Sequence, residues 1–586
     1  MNRAYIIRAA ALLVALLLSA GGGYLFLRFT GENGLTALDL FRAGLVVLSG
    51  FWLVWGGAAA VMGVFTPART LRFDPRATPR GMTAILVPIY NEDPAQTFAR
   101  IAAMNRSLVA LGIAERFHVA VLSDTQSLEA ATQEAVWFEH LLREPMSQGR
   151  IFYRRRERNV GRKAGNIEDF VNRSGGAYDY AVILDADSLM SGETIGEMAR
   201  RMDNDPKLGL LQTVPKVIHA RTLFGRTMQF SASYLSPSFA RGASLMQGWD
   251  GPYWGHNAIV RMKAFAASCG LPELSGKPPF GGHILSHDYV EAALLSRAGW
   301  KVIVDPDLEG SFEEGPENLI EYAKRDRRWC QGNLQHRRLV GAPGLKFWSR
   351  FTFVQGIMAY LASPLWLLLM TASIFAAIFP DQPSWFSRFR DESIDMWVLG
   401  GAVAIVLVLP KFLILLRGAF DGRNKRFGGN LRAAASVFCE IAFSTVLAPV
   451  MLLLQTRSVA QVLLGLDGGW PATQRGQNWI NLDVAFRASW WVMGLGLVTL
   501  GGTILFAPNI ALWVAPAMLP AIFAPLLISF SSRPPRSESL PQVFRTDLEI
   551  DPPPVVKEYQ NIMAHWTLPD VSLEPVTIRT PSYVPA

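Results

Sequence analysis

Two carboxylates, Asp185 and Asp187, follow directly on the apolar run 181–184. The run is short and is preceded by Tyr178 and Tyr180, which predicts a buried strand of a parallel sheet. Ligands of such sheets sit outside the carboxyl ends of the strands, where these two acids fall. Carboxylates are hard oxygen donors, suited to a Mg2+ or Mn2+ ion that also holds phosphate. Taken alone, D-x-D more often marks a surface turn with two solvated acids, so the surrounding residues have to decide.

Three further strand ends carry candidate groups. A strand over 84–88 runs into Tyr90, Asn91 and Glu92, and one over 119–123 runs into Asp124. A strand over 151–154 leads into a basic loop with Arg154, Arg155, Arg156, Arg158, Arg162 and Lys163, punctuated by Gly161 and Gly165. Acids at several strand ends could hold a base, a ribose and a metal, and the cations could pair with a diphosphate. The basic run also fits a solvated or lipid-facing patch. Downstream, His287 and Asp288 precede the helix-like stretch 289–295, and Glu313 and Glu314 precede Arg325, Arg327, Arg328 and Trp329. In isolation Asp288 reads as a helix cap. Trp329 in isolation reads as packing.

Strands alternating with helices near 95–111 and 128–142 imply an α/β domain with a mostly parallel sheet. It occupies about 67–346 and is flanked by apolar material: 50% of the 586 residues are hydrophobic and only 18% are charged. Runs at 6–27 and 38–65 each suffice to cross a bilayer core, which takes about 20 apolar residues. The first reads as a retained span rather than a signal peptide, because its apolar part is long. Arg3 and Arg8 at its start, and Arg69, Arg72 and Arg76 after the second, place the α/β domain on the cytoplasmic side. Apolar runs return at 353–379, 396–416, 433–454, 488–506 and 510–530. The run at 433–454 holds Glu440 and Pro449. An acid at mid-bilayer is costly, so an interfacial helix over about 433–463 is expected there, leaving six spans. The tail 532–586 is Pro-rich, shows no periodicity and receives no structural assignment.

Three scattered cysteines, Cys269, Cys330 and Cys439, give no disulfide framework or zinc spacing. The net charge of +8 suits an inner-leaflet surface or an anionic substrate. No nucleic-acid motif accompanies it. No G-x-G-x-x-G follows the first strand and no G-x-x-x-x-G-K-[ST] is present, which weakens nicotinamide-binding and ATP-driven transporter readings.

Tyr90-Asn91-Glu92, Asp124, Lys163-Ala164-Gly165-Asn166, Asp185-x-Asp187, His287-Asp288 and Arg325-x-x-Arg328-Trp329 stand in the order seen in processive family 2 glycosyltransferases. The chain resembles a membrane-embedded synthase of the cellulose synthase type. Within that group, Trp254-Gly255-His256-Asn257, the stretch from Leu285 to Glu291 and that from Arg325 to Asn333 most resemble the glucans biosynthesis glucosyltransferase H family. Its members make the backbone of osmoregulated periplasmic glucans. The likeness covers about 38 to 531.

The resemblance implies a GT-A-like catalytic domain inserted in an α-helical multi-span domain of the bacterial inner membrane. It implies a UDP-glucose donor, a Mg2+ (or Mn2+) ion and a growing β-1,2-glucan passed across the membrane. Glu92 and Asp124 would bind uridine, with Tyr90 beside them, and Lys163 would approach the phosphates. Asp185 would place the nucleotide-sugar and Asp187 the metal. Asp288 would be the general base, Arg325 and Arg328 would steady the diphosphate, and Trp329 and His256 would bind the acceptor. Trp470, Thr473 and Arg475, in the segment 470–476, resemble the gating loop of cellulose synthases; the same residues also fit an ordinary interfacial turn. Acyl carrier protein and a periplasmic glucan-modifying protein are the implied partners besides membrane lipid. Cellulose synthases carry Gln where Arg325 stands and Glu where His287 stands, which favours the periplasmic glucan branch. Another processive β-glucan synthase, such as a cellulose synthase, is the alternative.

Overall fold

Along the strand Thr83–Ile89 the side chains alternate between two apolar layers, and both are buried. Ile85, Val87 and Ile89 join a core with Phe98, Ile101 and Met198, whereas Ala84 and Leu86 face Ile167 and Phe170 on the other side. A sheet covered on both faces requires this continuous apolar strand composition. The arrangement comes from a computed structural model, which describes residues 3–30, 34–69, 74–379, 384–386, 396–466, 479–534 and 543–566.

The strands are β1 (Leu35–Thr36), β2 (Thr83–Ile89), β3 (Phe117–Ser123), β4 (Ile151–Arg155), β5 (Tyr180–Ile183) and β6 (Leu189–Met190). They continue with β7 (Leu208–Thr213), β8 (Lys216–Ile218), β9 (Ala258–Arg261), β10 (Lys301–Asp305), β11 (Ser311–Glu314) and β12 (Ser384–Phe386). The main sheet has the order β10-β7-β9-β5-β2-β3-β4. Only β9 runs antiparallel to its neighbours; every other pair in this sheet is parallel. All four strands expected from the sequence are present. A smaller sheet, β6-β11-β8, stands beside the main one.

Among the described residues, six helices are long and apolar enough to cross a membrane: Ala4–Thr30, Ala37–Phe65, Phe347–Ile378, Val398–Phe420, Asn430–Leu463 and Leu482–Phe506. The run expected as one span over 510–530 is instead two helices, Pro508–Ile522 and Ala524–Ser531, bent by 55°. Pro520 and Pro525 flank the break and leave amide positions there without a donor, which accounts for it. The second apolar helix is welded to the α/β domain. A Cβ on Gly63 would stand 1.7 Å from the Ser238 carbonyl oxygen, and one on Gly242 would stand 1.7 Å from that of Ala59. The two backbones therefore touch directly, as small residues permit.

The helix Asn430–Leu463 runs through Pro449 without a break. Glu440, singled out as a costly acid, accepts from Lys411 Nζ at 2.6 Å and from Ser444 Oγ at 2.9 Å. Ala433 and Val437 share a buried cluster with Phe230 and Tyr234; Leu447 and Val450 share one with Phe224 and Leu319. Val459 and Val462 join Cys330 and Leu334. Its beginning, middle and end thus each share a buried cluster with residues of the α/β domain.

The tail departs from its sequence reading. Residues 543–566 carry two helices, Asp547–Ile550 and Pro554–His565. Val555, Val556, Tyr559 and Ile562 are buried in the same core as Phe98 and Ile101. Their spacing is helical, but 12 residues behind three prolines are too few to stand out as a period.

Candidate active site

Lys163 is the meeting point. It stands in the first turn of the helix Arg162–Ser174, where a cation gains nothing from the helix dipole. Its ammonium is held instead by Asp185 Oδ1 and by the Gly255 carbonyl oxygen at 2.8 Å. Gly255 has φ +85°, a conformation glycine adopts readily, and a Cβ there would stand 3.4 Å from Asp288 Oδ2. One lysine and one glycine therefore bring the end of β5 and the start of the helix His287–Arg297 to the same place. Asp288 is the second residue of that helix rather than its cap.

Charge is concentrated around this point. Burial raises the Asp185 carboxyl, but Lys163, His256 and Arg325 outweigh it and hold it well below the ordinary carboxylate range. Burial raises the Asp288 carboxyl; His287 opposes this and Glu291 adds to it, with a net rise. Burial lowers the His287 imidazole, yet Glu291, whose Oε1 lies 3.1 Å from His287 Nδ1, outweighs it and leaves His287 raised. Glu313, at the end of β11, also converges here. It lies 3.6 Å from His256 Nε2 and 3.9 Å from Arg325 Nη2, and burial raises it despite these neighbours.

The helix Leu319–Gln335, capped by Asn318, supplies the next layer. The Arg325 guanidinium lies 4.5 Å from the Trp329 ring centroid, and Trp329 is 42% exposed. Arg328 is half-buried on the same helix. The end of the helix grips the segment before Asp288: Gln335 Oε1 accepts from Leu285 N at 3.0 Å. His336 Nε2 lies 3.0 Å from the Ser286 carbonyl oxygen, and burial pushes this imidazole down to about 4. A neutral ring donating from Nε2 therefore fixes Ser286, two residues ahead of Asp288.

At the neighbouring ends of β2 and β3, Tyr90 and Glu92 are half-buried and Asp124 is 3% exposed. The Tyr90 amide donates to Glu92 Oε2. Both Asp124 oxygens accept from Arg156, Oδ1 at 2.7 Å and Oδ2 at 2.8 Å. Under them Glu134 is buried and accepts from the hydroxyls of Ser123, Thr125 and Tyr153. Sequence reasoning missed Glu134 as a support and Glu313 as a site residue. The position of Glu313 at the end of a short alternating run, ahead of Arg325, was the available signal.

Asp187 is 6% exposed. Among the described residues no three His, Cys, Asp or Glu side chains could together hold a metal ion. That donor set fits a cation carried mainly by substrate phosphate with one or two carboxylates, as Mg2+ is commonly bound. With Asp185 paired to Lys163, Asp187 would be the protein ligand. Trp470, Thr473 and Arg475 lie outside the described residues.

The chain matches the family model "Glycosyl transferase family 2" over residues 84–268 and "Glycosyl transferase family group 2" over 180–409. It is 52% identical to Glucans biosynthesis glucosyltransferase H of Cereibacter sphaeroides over 568 residues, which is 95% of each chain. It is 38% identical to a protein of the same name from Rhodopseudomonas palustris, over 94% of this chain and 78% of that one. A solved mannosyltransferase from Pyrobaculum calidifontis, in complex with GDP-Man and Mn2+, superposes with a TM-score of 0.43 at 15% identity, covering 65% of this chain and 98% of that one.

Proposed function

From the premise that the chain belongs to the glucans biosynthesis glucosyltransferase H family, a branch of the family 2 glycosyltransferases, we propose that it is a processive inverting glucosyltransferase of the bacterial inner membrane. It transfers glucose from UDP-glucose to a growing linear β-1,2-glucan and passes the polymer outward. The observation that carries the reading is the convergence of Lys163, Asp185, Gly255 and Asp288.

An acceptor hydroxyl titrates far above neutrality and needs a base within hydrogen-bond reach. Asp288, lifted by burial, takes that proton. One displacement at an α-linked donor inverts the anomeric carbon and gives a β-glucoside. Lys163 and Arg325 lie where the departing diphosphate gathers charge, with Arg328 a turn further along the helix from Arg325. A divalent ion held by Asp187 and the phosphates would supply further charge stabilisation to the leaving UDP. Tyr90, Glu92 and Asp124 form the uridine end. A carboxylate has about four acceptor sites, so Asp124 still serves a uracil N3–H while it holds Arg156. Trp329, exposed beside Arg325, offers a face to the terminal glucose of the acceptor, and His256 stands near it through Glu313. Acyl carrier protein and a periplasmic glucan-modifying protein complete the proposed partners.

Four crossings after the catalytic domain fit the contacts. Ile480 N donates to Ser532 Oγ at 2.9 Å and Leu223 N to the Arg533 carbonyl at 3.3 Å, so the helices after 480 go out and come back. Phe347–Ile378 and Met396–Phe420 form the other pair, with Tyr234 Oη donating to Asn424 at 2.6 Å on return. Asn430–Leu463 shares buried clusters with Phe230, Leu319 and Cys330 as well as packing on Phe347–Ile378 and Pro508–Ile522, and on this reading it lies in the interface. Cysteines placed at Arg432 and at Leu464 should both react with an impermeant maleimide in inverted vesicles. Labelling of the second only in right-side-out vesicles would make the helix a span.

The function itself is tested with purified protein in inverted vesicles given UDP-[14C]glucose. Labelled polymer should accumulate inside them, and methylation analysis should show 2-linked glucose. Polymer left wholly outside counts against transfer across the membrane, and 4-linked glucose would make the chain a cellulose-type synthase.

A further inference from the structure

Arg100, on the helix Pro94–Ala110, is 3% exposed and takes no part in the proposed chemistry. Its Nη1 donates at 3.2 Å to the carbonyl of Ala186, the residue between Asp185 and Asp187. Its Nη2 donates to Glu314 Oε1 at 2.5 Å. Glu314 follows Glu313 in β11, so the two carboxylates leave the strand on opposite faces. Glu313 faces His256 and Arg325; Glu314 faces Arg100 and His219.

The tail helix Pro554–His565 covers this second face. The Tyr559 ring centroid lies 5.1 Å from the Arg100 guanidinium carbon and 5.4 Å from the His219 ring. Gln560 Nε2 lies 3.3 Å from His219 Nε2. The helix is fastened by Glu558 to Arg106, which also binds Glu144, and Trp566 stacks on Trp137 at 5.5 Å. Resting on the function proposed above, we propose that the tail helix is a positioning element for the Asp185–Asp187 turn: Tyr559 shields Arg100, and Arg100 fixes the Ala186 peptide from which both carboxylates are aimed.

The physical reason is local dielectric. Under an aromatic cover the Arg100–Glu314 pair and the Arg100–carbonyl bond are strong; opened to water they weaken severalfold. The Ala186 peptide plane then gains freedom, and the two flanking carboxylates lose their common orientation. Arg100 and Tyr559 are thus positioning residues, and the experiment has to read metal affinity as well as turnover.

Mn2+ binding in the presence of UDP is measured by electron paramagnetic resonance on the full-length protein in lipid. Loss of a desolvated cation–π contact corresponds to roughly 3- to 30-fold. Tyr559→Ala should therefore weaken Mn2+ binding by about that factor, and Tyr559→Phe should restore it. Arg100→Gln should weaken it at least as much, with the effect on kcat/KM for the donor carried mainly by KM. Should Arg100→Gln fail to fold, the two Tyr559 variants decide alone. Equal Mn2+ affinity in Tyr559→Ala and wild type overturns the inference and leaves the proposed function standing. Wild-type Mn2+·UDP binding without glucose transfer would overturn the function and leave the tail's role open to the same comparison. No Mn2+·UDP binding by the wild type removes the inference together with the metal.

Discussion

Asp288→Asn should lower turnover by ~10^2 to 10^4-fold, the usual worth of a positioned general base, while UDP binding stays nearly intact. The substitution preserves shape and removes only the ability to accept a proton. Asp288 is placed for that task by its neighbours: Gly255 leaves room against its carboxylate, and Gln335 and His336 fix the segment ahead of it. The pH dependence has a defined sign. A base must be deprotonated to act. Burial, opposed by His287 and reinforced by Glu291, raises this carboxyl, so the acid limb of kcat/KM should lie above the pH of an ordinary aspartate. Activity rises with pH through that limb, and the limb should vanish in Asp288→Asn. Wild-type turnover in the variant would remove Asp288 from the role.

Chelation with EDTA should abolish transfer, and added Mg2+ or Mn2+ should restore it. UDP leaves poorly while its charge is uncompensated, and the cations among the site side chains are partly spent. Lys163 is already held by Asp185 and Arg325 lies near Glu313. Asp187→Asn should then raise the metal concentration needed for half-maximal activity. Full activity in chelator would assign the whole task to Lys163, Arg325 and Arg328.

Much of this architecture was legible because the signals are local. The strands β2, β3, β4 and β5 are short apolar runs ending in polar residues, and a doubly covered parallel sheet demands that pattern. Asp185 stood out by its place after an apolar strand and Asp288 by its place at a helix start, whereas Arg325, in mid-helix, was given a role only through the family resemblance. What could not be read is pairing across distance. Nothing near Asp124 announces that Arg156 will occupy it, and Arg100 reaches Ala186 from another helix. The tail helix was hidden for a different reason: its apolar stripe is only 12 residues long and acquires meaning once a partner surface exists. The bend at Phe523 was missed because composition alone makes 510–530 one apolar run.

The bare contact between Gly63 and Gly242 bears on how the glycosyltransferase domain sits on its apolar anchor. No layer of side chains separates the two main chains there, so nothing can shear or re-pack between them. To tilt on its anchor, the α/β body would have to prise two polypeptide backbones apart. Under the proposed function, any stroke that advanced a glucan by one unit would then fall to lighter parts, the loops and the saccharide itself, turning over a fixed platform.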